Sequence, residues 1–394
     1  MSNWLALLLT LVIQAMVSMA LLTLPVMAPV IAKDLQVSPA LVGVYVAITY
    51  AGAMVSSLMG GAAVKRLGAI RVSQVGLMLC ALGLVLCAMP WLVATAVGAF
   101  CIGLGYGPIT PASSHLLART TRKHQMSLVF SLKQTGVPLG SLLAGAIVPT
   151  LLLGLPWQIC MAVVAGVCLV CAAISQPLRH DLDHDRQPSL PMHGGGWIQP
   201  IRLVLAHRAL ASMAACSFMF SMVQLSLTTY LVTFLHDDLA YGLVAAGLAL
   251  SVTQFGGMAG RIVWGYVADR WLGASRMLLL LAAMMALGAL ATTTLTHDTP
   301  KFWVIFILLT FGASAIGWNG VYLAEVAKRA PEGMASVATG GTLVFTFFGV
   351  VVGPPIFGAL SALFGTYRAG FTALVVVATV CGCVLYWSQR KTNA

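Results

Sequence analysis

The chain has 394 residues, of which 60% are hydrophobic and only 8% are charged. A soluble globular domain carries about 25% charged residues, so this composition excludes a soluble enzyme or binding module and points to an integral membrane protein. The formal net charge of +11 does not imply nucleic acid, because the basic residues stand at the ends of apolar runs, where they set membrane orientation.

At about 20 apolar residues per crossing, the chain divides into twelve expected spans, at 4–31, 41–64, 72–89, 92–117, 126–149, 158–174, 210–235, 243–266, 277–295, 302–324, 334–362 and 369–387. The expected fold is an all-α membrane protein. No cleaved signal is expected, since the N-terminus lacks a basic stretch and the apolar run from Trp4 to Ala32 is too long for a signal core. With the N-terminus in the cytoplasm, sixteen of the 21 Lys and Arg residues fall in cytoplasmic segments, three fall outside, and Lys133 and Arg261 lie within spans. That bias predicts both termini inside. The nine cysteines all fall in apolar runs and read as packing residues, so neither a disulfide framework nor a metal site or cofactor is expected.

The longest polar segment, Ser175 to Arg208, separates six spans from six. It gives an N-terminal bundle over 1–174, a linker over 175–208 and a C-terminal bundle over 209–394. His180, Asp181, Asp183, His184, Asp185 and His193 in this segment could suggest a metal site. The surrounding Pro and Gly residues instead read as a solvated cytoplasmic linker. Trp197 to Leu205 reads as an interfacial helix leading into span seven.

The stretch Phe130 to Pro149 has an echo. Gly136-Val137, Gly140 and Gly145-Ala146 reappear as Gly349-Val350, Gly353 and Gly358-Ala359, offset by 213 residues. Self-similarity between two apolar halves points to a transporter built from repeats. Lys133, followed by Gln134, has Thr346 as its counterpart, so only one half carries the charge. A lysine about 10 Å into the membrane, at 1.5 Å per helical residue, either snorkels to cytoplasmic water or marks a functional site.

Two loops carry a second repeat. The loop after span two runs Gly61-Ala-Ala-Val-Lys65-Arg66-Leu-Gly68-Ala-Ile-Arg71. The loop after span eight runs Gly265-Tyr-Val-Ala-Asp269-Arg270-Trp-Leu-Gly273-Ala-Ser-Arg276. With twelve spans as six plus six and a long central loop, the chain resembles the major facilitator superfamily of secondary transporters. In that family the loop motif is a glycine, three residues, Asp-Arg, then a glycine and further basic residues. Here the first copy departs at Lys65, which stands at the acidic position, and the second has one extra residue before Gly273. The resemblance implies two pseudo-symmetric six-helix bundles that alternate access to a cavity ringed by spans one, four, seven and ten. It also implies that Arg66, Asp269 and Arg270 hold the cytoplasmic side closed while the outside is open. Arg71 and Arg276 read as orientation signals.

On that frame Gln14, Gln224, Tyr230, Trp318 and Asn319 join Lys133 and Gln134 as candidate substrate contacts. A polar side chain in a membrane helix more often bonds a neighbouring helix than a ligand, and Trp318 can equally be ordinary packing. The cluster Gly103, Gly105, Gly107, Pro108 and Pro111 should kink span four. An offset of 210 sets His115 opposite Glu325 and Arg119 opposite Arg329. His115 and Glu325 are candidate proton carriers, or polar residues at helix ends. Arg261 is expected to snorkel to the cytoplasmic surface.

None of the ten carboxylates falls in the middle of a span. A cavity with Lys133 and no buried carboxylate would attract anions. The expected function is proton-coupled uptake of a small organic anion, a carboxylate with an aromatic or apolar moiety, by a monomer in a bacterial inner membrane. The rival is an efflux carrier for neutral or amphipathic molecules, which gains if Lys133 faces lipid or packed protein. A membrane enzyme would need clustered His, Asp, Glu or Cys at one membrane face, and the short loops supply none.

Overall fold

The computed structural model describes residues 3–120, 129, 132–189, 198–331 and 335–390. Phe130, His193 and Trp197, named in the sequence analysis, lie outside them. Every regular element among the described residues is helical, and twelve helices are long and apolar enough to cross a membrane. The physical cause is the dry bilayer core. A spanning segment there must satisfy its own backbone N–H and C=O groups, and a helix does so internally.

The helices fall into two compact units. One comprises Met1–Pro39 and Tyr45–Gly195, and the other Ala40–Val44 and Gly196–Ala394. In the first unit the elements are α1 (Asn3–Val26), α2 (Ala28–Asp34), α3 (Val42–Leu67), α4 (Ala69–Cys87), α5 (Leu92–Tyr106), α6 (Ile109–Thr120), α7 (Gly136–Leu151), α8 (Trp157–Ile174) and the single turn α9 (Arg179–Leu182). In the second they are α10 (Ile198–Ala206), α11 (Arg208–Asp237), α12 (Leu243–Val267), α13 (Ala274–Thr293), α14 (Lys301–Gly317), α15 (Asn319–Arg329), α16 (Ala335–Phe364) and α17 (Tyr367–Arg390).

The glycine echo marks close helix contacts. A Cβ added at Gly140 would lie 2.1 Å from the Ala15 carbonyl oxygen of α1, and one at Gly349 would lie 2.2 Å from the Phe218 carbonyl oxygen of α11. In a membrane the attraction between helices comes from close packing, so small residues at the contact let the backbones approach. Thus α7 lies on α1, and α16 on α11.

Span four breaks between Tyr106 and Ile109, where Gly107-Pro108 interrupts it, as expected. Span ten breaks at the equivalent place, between Gly317 and Asn319, although no proline stands there. Gly68 and Gly273 have φ of +96° and +74°. Each precedes a helix and turns the chain in the left-handed region that only glycine enters cheaply. These are the closing glycines of the two loop motifs.

The central segment corrects one expectation. Residues 179–187 are not a solvated tether. Asp183 is 3% exposed and its segment lies against the first unit. Beyond it, α10 packs on α16, with Val204 buried and Leu205 exposed, which suits an amphipathic interfacial helix.

Candidate functional site

In the first unit, Lys133 sits on the helical turn just before α7. Lys133, Gly136 and Gly140 are spaced to share one helix face, so the close packing at Gly140 turns the lysine toward α1. Its Nζ donates to Gln14 Oε1 at 3.1 Å and to Thr110 Oγ1 at 3.5 Å. Thr110 in turn donates to Gln14 Oε1 at 3.4 Å. Lys133 is only 1% exposed, so it neither snorkels to water nor faces lipid but lies among packed protein groups, a placement that counts toward the efflux rival. Because an ammonium only donates, it fixes the Gln14 amide with its oxygen toward Lys133. The Gln14 amide nitrogen is then left buried with no hydrogen-bond partner among the described residues, as is the Ser18 hydroxyl one turn along α1. Gln134, the next residue after Lys133, is half-buried. The structure thus brings Lys133 and Gln14 together and adds Thr110, which the sequence reading missed. Its signal was its position, two residues beyond the breaking Pro108.

In the second unit, Gln224 stands at the position of Gln14 plus 210, and Thr228 at that of Ser18 plus 210. Gln224 Oε1 accepts from Trp318 Nε1 at 2.9 Å. The buried indole packs edge-on against Phe220 and Tyr322, with ring centroids 5.4 and 5.2 Å away. Trp318 occupies the break in span ten, and Asn319 opens α15, half-buried. Gln254 Nε2 donates to Thr228 Oγ1 at 3.3 Å. The two glutamines therefore play one structural part in both units, each accepting a bond from another span, but the donor is an ammonium in one and an indole in the other. Tyr230 is placed elsewhere in this unit. It is buried and stacked on Phe357 with centroids 4.6 Å apart, and its hydroxyl donates to the Ala40 carbonyl at 2.7 Å.

Arg261 corrects a further expectation. Instead of snorkelling, its Nε donates at 3.2 Å to the Ile316 carbonyl, one of the last carbonyls of α14 before the break. A helix end leaves carbonyls unbonded, and a cation there satisfies one.

The charged residues near the helix ends form two local networks. In the first unit His115 Nε2 lies 2.7 Å from an Asp185 carboxylate oxygen, and Arg119 pairs with the same carboxylate. Partial burial pushes the Asp185 carboxyl up, but the hydrogen bonds and charges of Arg119 and His115 outweigh it and hold it at about 2. In the second unit Glu325 accepts from Arg329 Nε at 2.6 Å and from the Ser275 hydroxyl. Asp269 and Arg270 are exposed on the turn Ala268–Leu272 and make no ion pair among the described residues, while Arg66 is half-buried on the last turn of α3.

Sequence and fold comparisons extend this picture. The chain is 23% identical over 387 residues to the benzoate transport protein of Acinetobacter baylyi, covering 89% of this chain and 82% of that one. It is 27% identical over 341 residues to monocarboxylate transporter 11 of Mus musculus, covering 82% of this chain and 73% of that one. Its fold superposes on the crystal structure of a mutant of the nucleoside transporter NupG with a TM-score of 0.81 at 14% identity, covering 97% and 99% of the two chains. The family model of the Major Facilitator Superfamily matches residues 7–346. With twelve helices long enough to span a membrane, two copies of one loop motif and paired glutamines in its two units, this chain belongs to the Major Facilitator Superfamily and is a membrane transporter, not an enzyme.

Proposed function

We propose that this transporter carries a small organic anion, a monocarboxylate with an apolar or aromatic body, by proton-coupled uptake. The observation that carries the reading is the buried Lys133 ammonium beside an amide nitrogen of Gln14 that has no partner among the described residues. A desolvated cation with a nearby unused N–H donor matches a carboxylate, which accepts bonds on both oxygens. The likeness to a benzoate transport protein and a monocarboxylate transporter supports the same class. His115 and Glu325, each held by an ionic partner near a helix end, are the residues that would carry the coupled proton.

The same reading takes the protein as a monomer of a bacterial inner membrane whose two units act as N- and C-terminal halves that alternate access, and the basic-residue bias supports cytoplasmic termini. A thermal-shift screen of organic acids on the purified full-length protein tests the substrate class. Aromatic and short-chain monocarboxylates should raise Tm, and the neutral amide analogues should not. Equal shifts from acids and amides would promote efflux of neutral compounds instead.

A further inference from the structure

The first unit takes from the central segment what the second unit carries in its own spans. Glu325 and Arg329 lie one turn apart on α15 and pair directly. Their counterparts on α6 are His115 and Arg119, with no carboxylate between them. Asp185 supplies it, lying against both, while Arg119 also donates to the Leu182 carbonyl at 2.7 Å.

The same segment finishes the gating loop. As the residue capping α4, Gly68 has no side chain to offer the free amides of the first helical turn, which a cap normally bonds. Asp183 does this from a distance in sequence. Its two oxygens accept from Ile70 N at 2.8 Å and Arg71 N at 3.0 Å, and a Cβ on Gly68 would lie 2.2 Å from the Asp183 carboxyl carbon. Two residues past Asp185, Gln187 N donates to the Lys65 carbonyl at 2.8 Å. The loop from Lys65 to Arg71, whose motif lacks its own acid, is thus tied at both ends.

We infer that residues 179–187 form a clasp that is an integral part of the first unit, with Asp183 and Asp185 as positioning residues for the gating loop and for Arg119. Asp185 does for Arg119 what Glu325 does for Arg329. This holds whatever the substrate.

Trypsin reads the clasp directly, because Arg179 and Arg186 lie within it, and a protease cuts such a segment only when it opens. In the full-length protein in detergent, Asp185→Asn should speed cleavage after Arg186 by about tenfold, the low end of what losing a charged hydrogen bond gives, and lower Tm. Asp183→Asn should do the same. The double variant His115→Glu, Asp185→Asn places a carboxylate one turn before Arg119, as in the second unit. It should regain the lost Tm while the segment stays open to trypsin. Wild-type cleavage rates in Asp185→Asn and Asp183→Asn would overturn the clasp. A double variant no more stable than Asp185→Asn would overturn the role of Asp185 as the counter-charge of Arg119.

Discussion

Replacing Lys133 by Met isolates the charge. Both side chains are unbranched and similar in length, so packing against α1 changes little. The substitution removes the donor to Gln14 Oε1 at 3.1 Å and to Thr110 at 3.5 Å, leaving those neutral groups to bond each other. A hydrogen bond to a charged group contributes about 1.5–3 kcal/mol. At 1.4 kcal/mol per tenfold, its loss should weaken anion binding by about 10- to 150-fold. Stability should respond far less, since removing a buried charge also removes its desolvation cost. The assay is uptake into proteoliposomes of a radiolabelled monocarboxylate chosen by the thermal-shift screen, with Tm measured on the same preparations. Lys133→Met should raise KM or abolish uptake with Tm close to wild type, and Lys133→Arg should keep part of the uptake with altered selectivity, because a planar fork replaces a point charge. Wild-type KM in Lys133→Met would refute the assignment of Lys133 to substrate.

Four further outcomes are expected. Gly140→Ala puts a methyl where only 2.1 Å separates it from the Ala15 carbonyl oxygen, and overpacking of this kind costs about 1–3 kcal/mol, to be seen as a lowered Tm; an unchanged Tm would mean that α7 and α1 are not this close. Trp318→Phe leaves Gln224 Oε1 without its indole donor at a cost of about 1–3 kcal/mol, and Gln224→Leu in the same background should recover most of the lost stability by a melting measurement. Asp269→Asn should slow turnover while leaving substrate affinity near wild type, because Asp269 sits on an exposed turn at a helix end; an unaltered turnover rate would reduce that loop to an orientation signal. Since the Asp185 carboxyl is held down at about 2, its contribution is complete above the ordinary aspartate range and is lost only as pH falls from about 4 toward 2. Tryptic or acid-protease protection of the clasp, corrected with a free peptide of the same sequence, should therefore hold between pH 8 and 5.

Much of the architecture is legible because a bilayer imposes it. Long apolar runs have only one economical conformation in lipid, so the twelve spans follow from composition, and the break in span four follows from Gly107-Pro108. The break in span ten is less visible. No proline marks it, and it is held by bonds from other helices, Trp318 to Gln224 and Arg261 to Ile316. The docked segment is invisible for a related reason. In RHDLDHDR a run of charges between Pro and Gly residues has the composition of a solvated linker. What docks it is the set of unbonded amides at Gly68 and the uncompensated Arg119, both far away in sequence. Lys133 is legible as a buried charge from its position, but its partners are not. Thr110, which joins them, stands just past the break in span four.

The two halves also show which features a repeat must share and which it need not. Close packing cannot be borrowed, so each unit needs its own glycines where α7 meets α1 and where α16 meets α11, and these survive as the echo. The polar bond across that contact is free to differ. In the second unit Ser221 of α11 donates to the Thr346 carbonyl at 2.8 Å, a bond between neutral groups that serves to join helices. At Lys133, the counterpart of Thr346, the first unit instead places an ammonium on the glutamine of α1. A neutral bond would have joined those helices at less desolvation cost. Helix packing alone therefore does not call for a charge at this position, and the anion reading proposed above is what would use it.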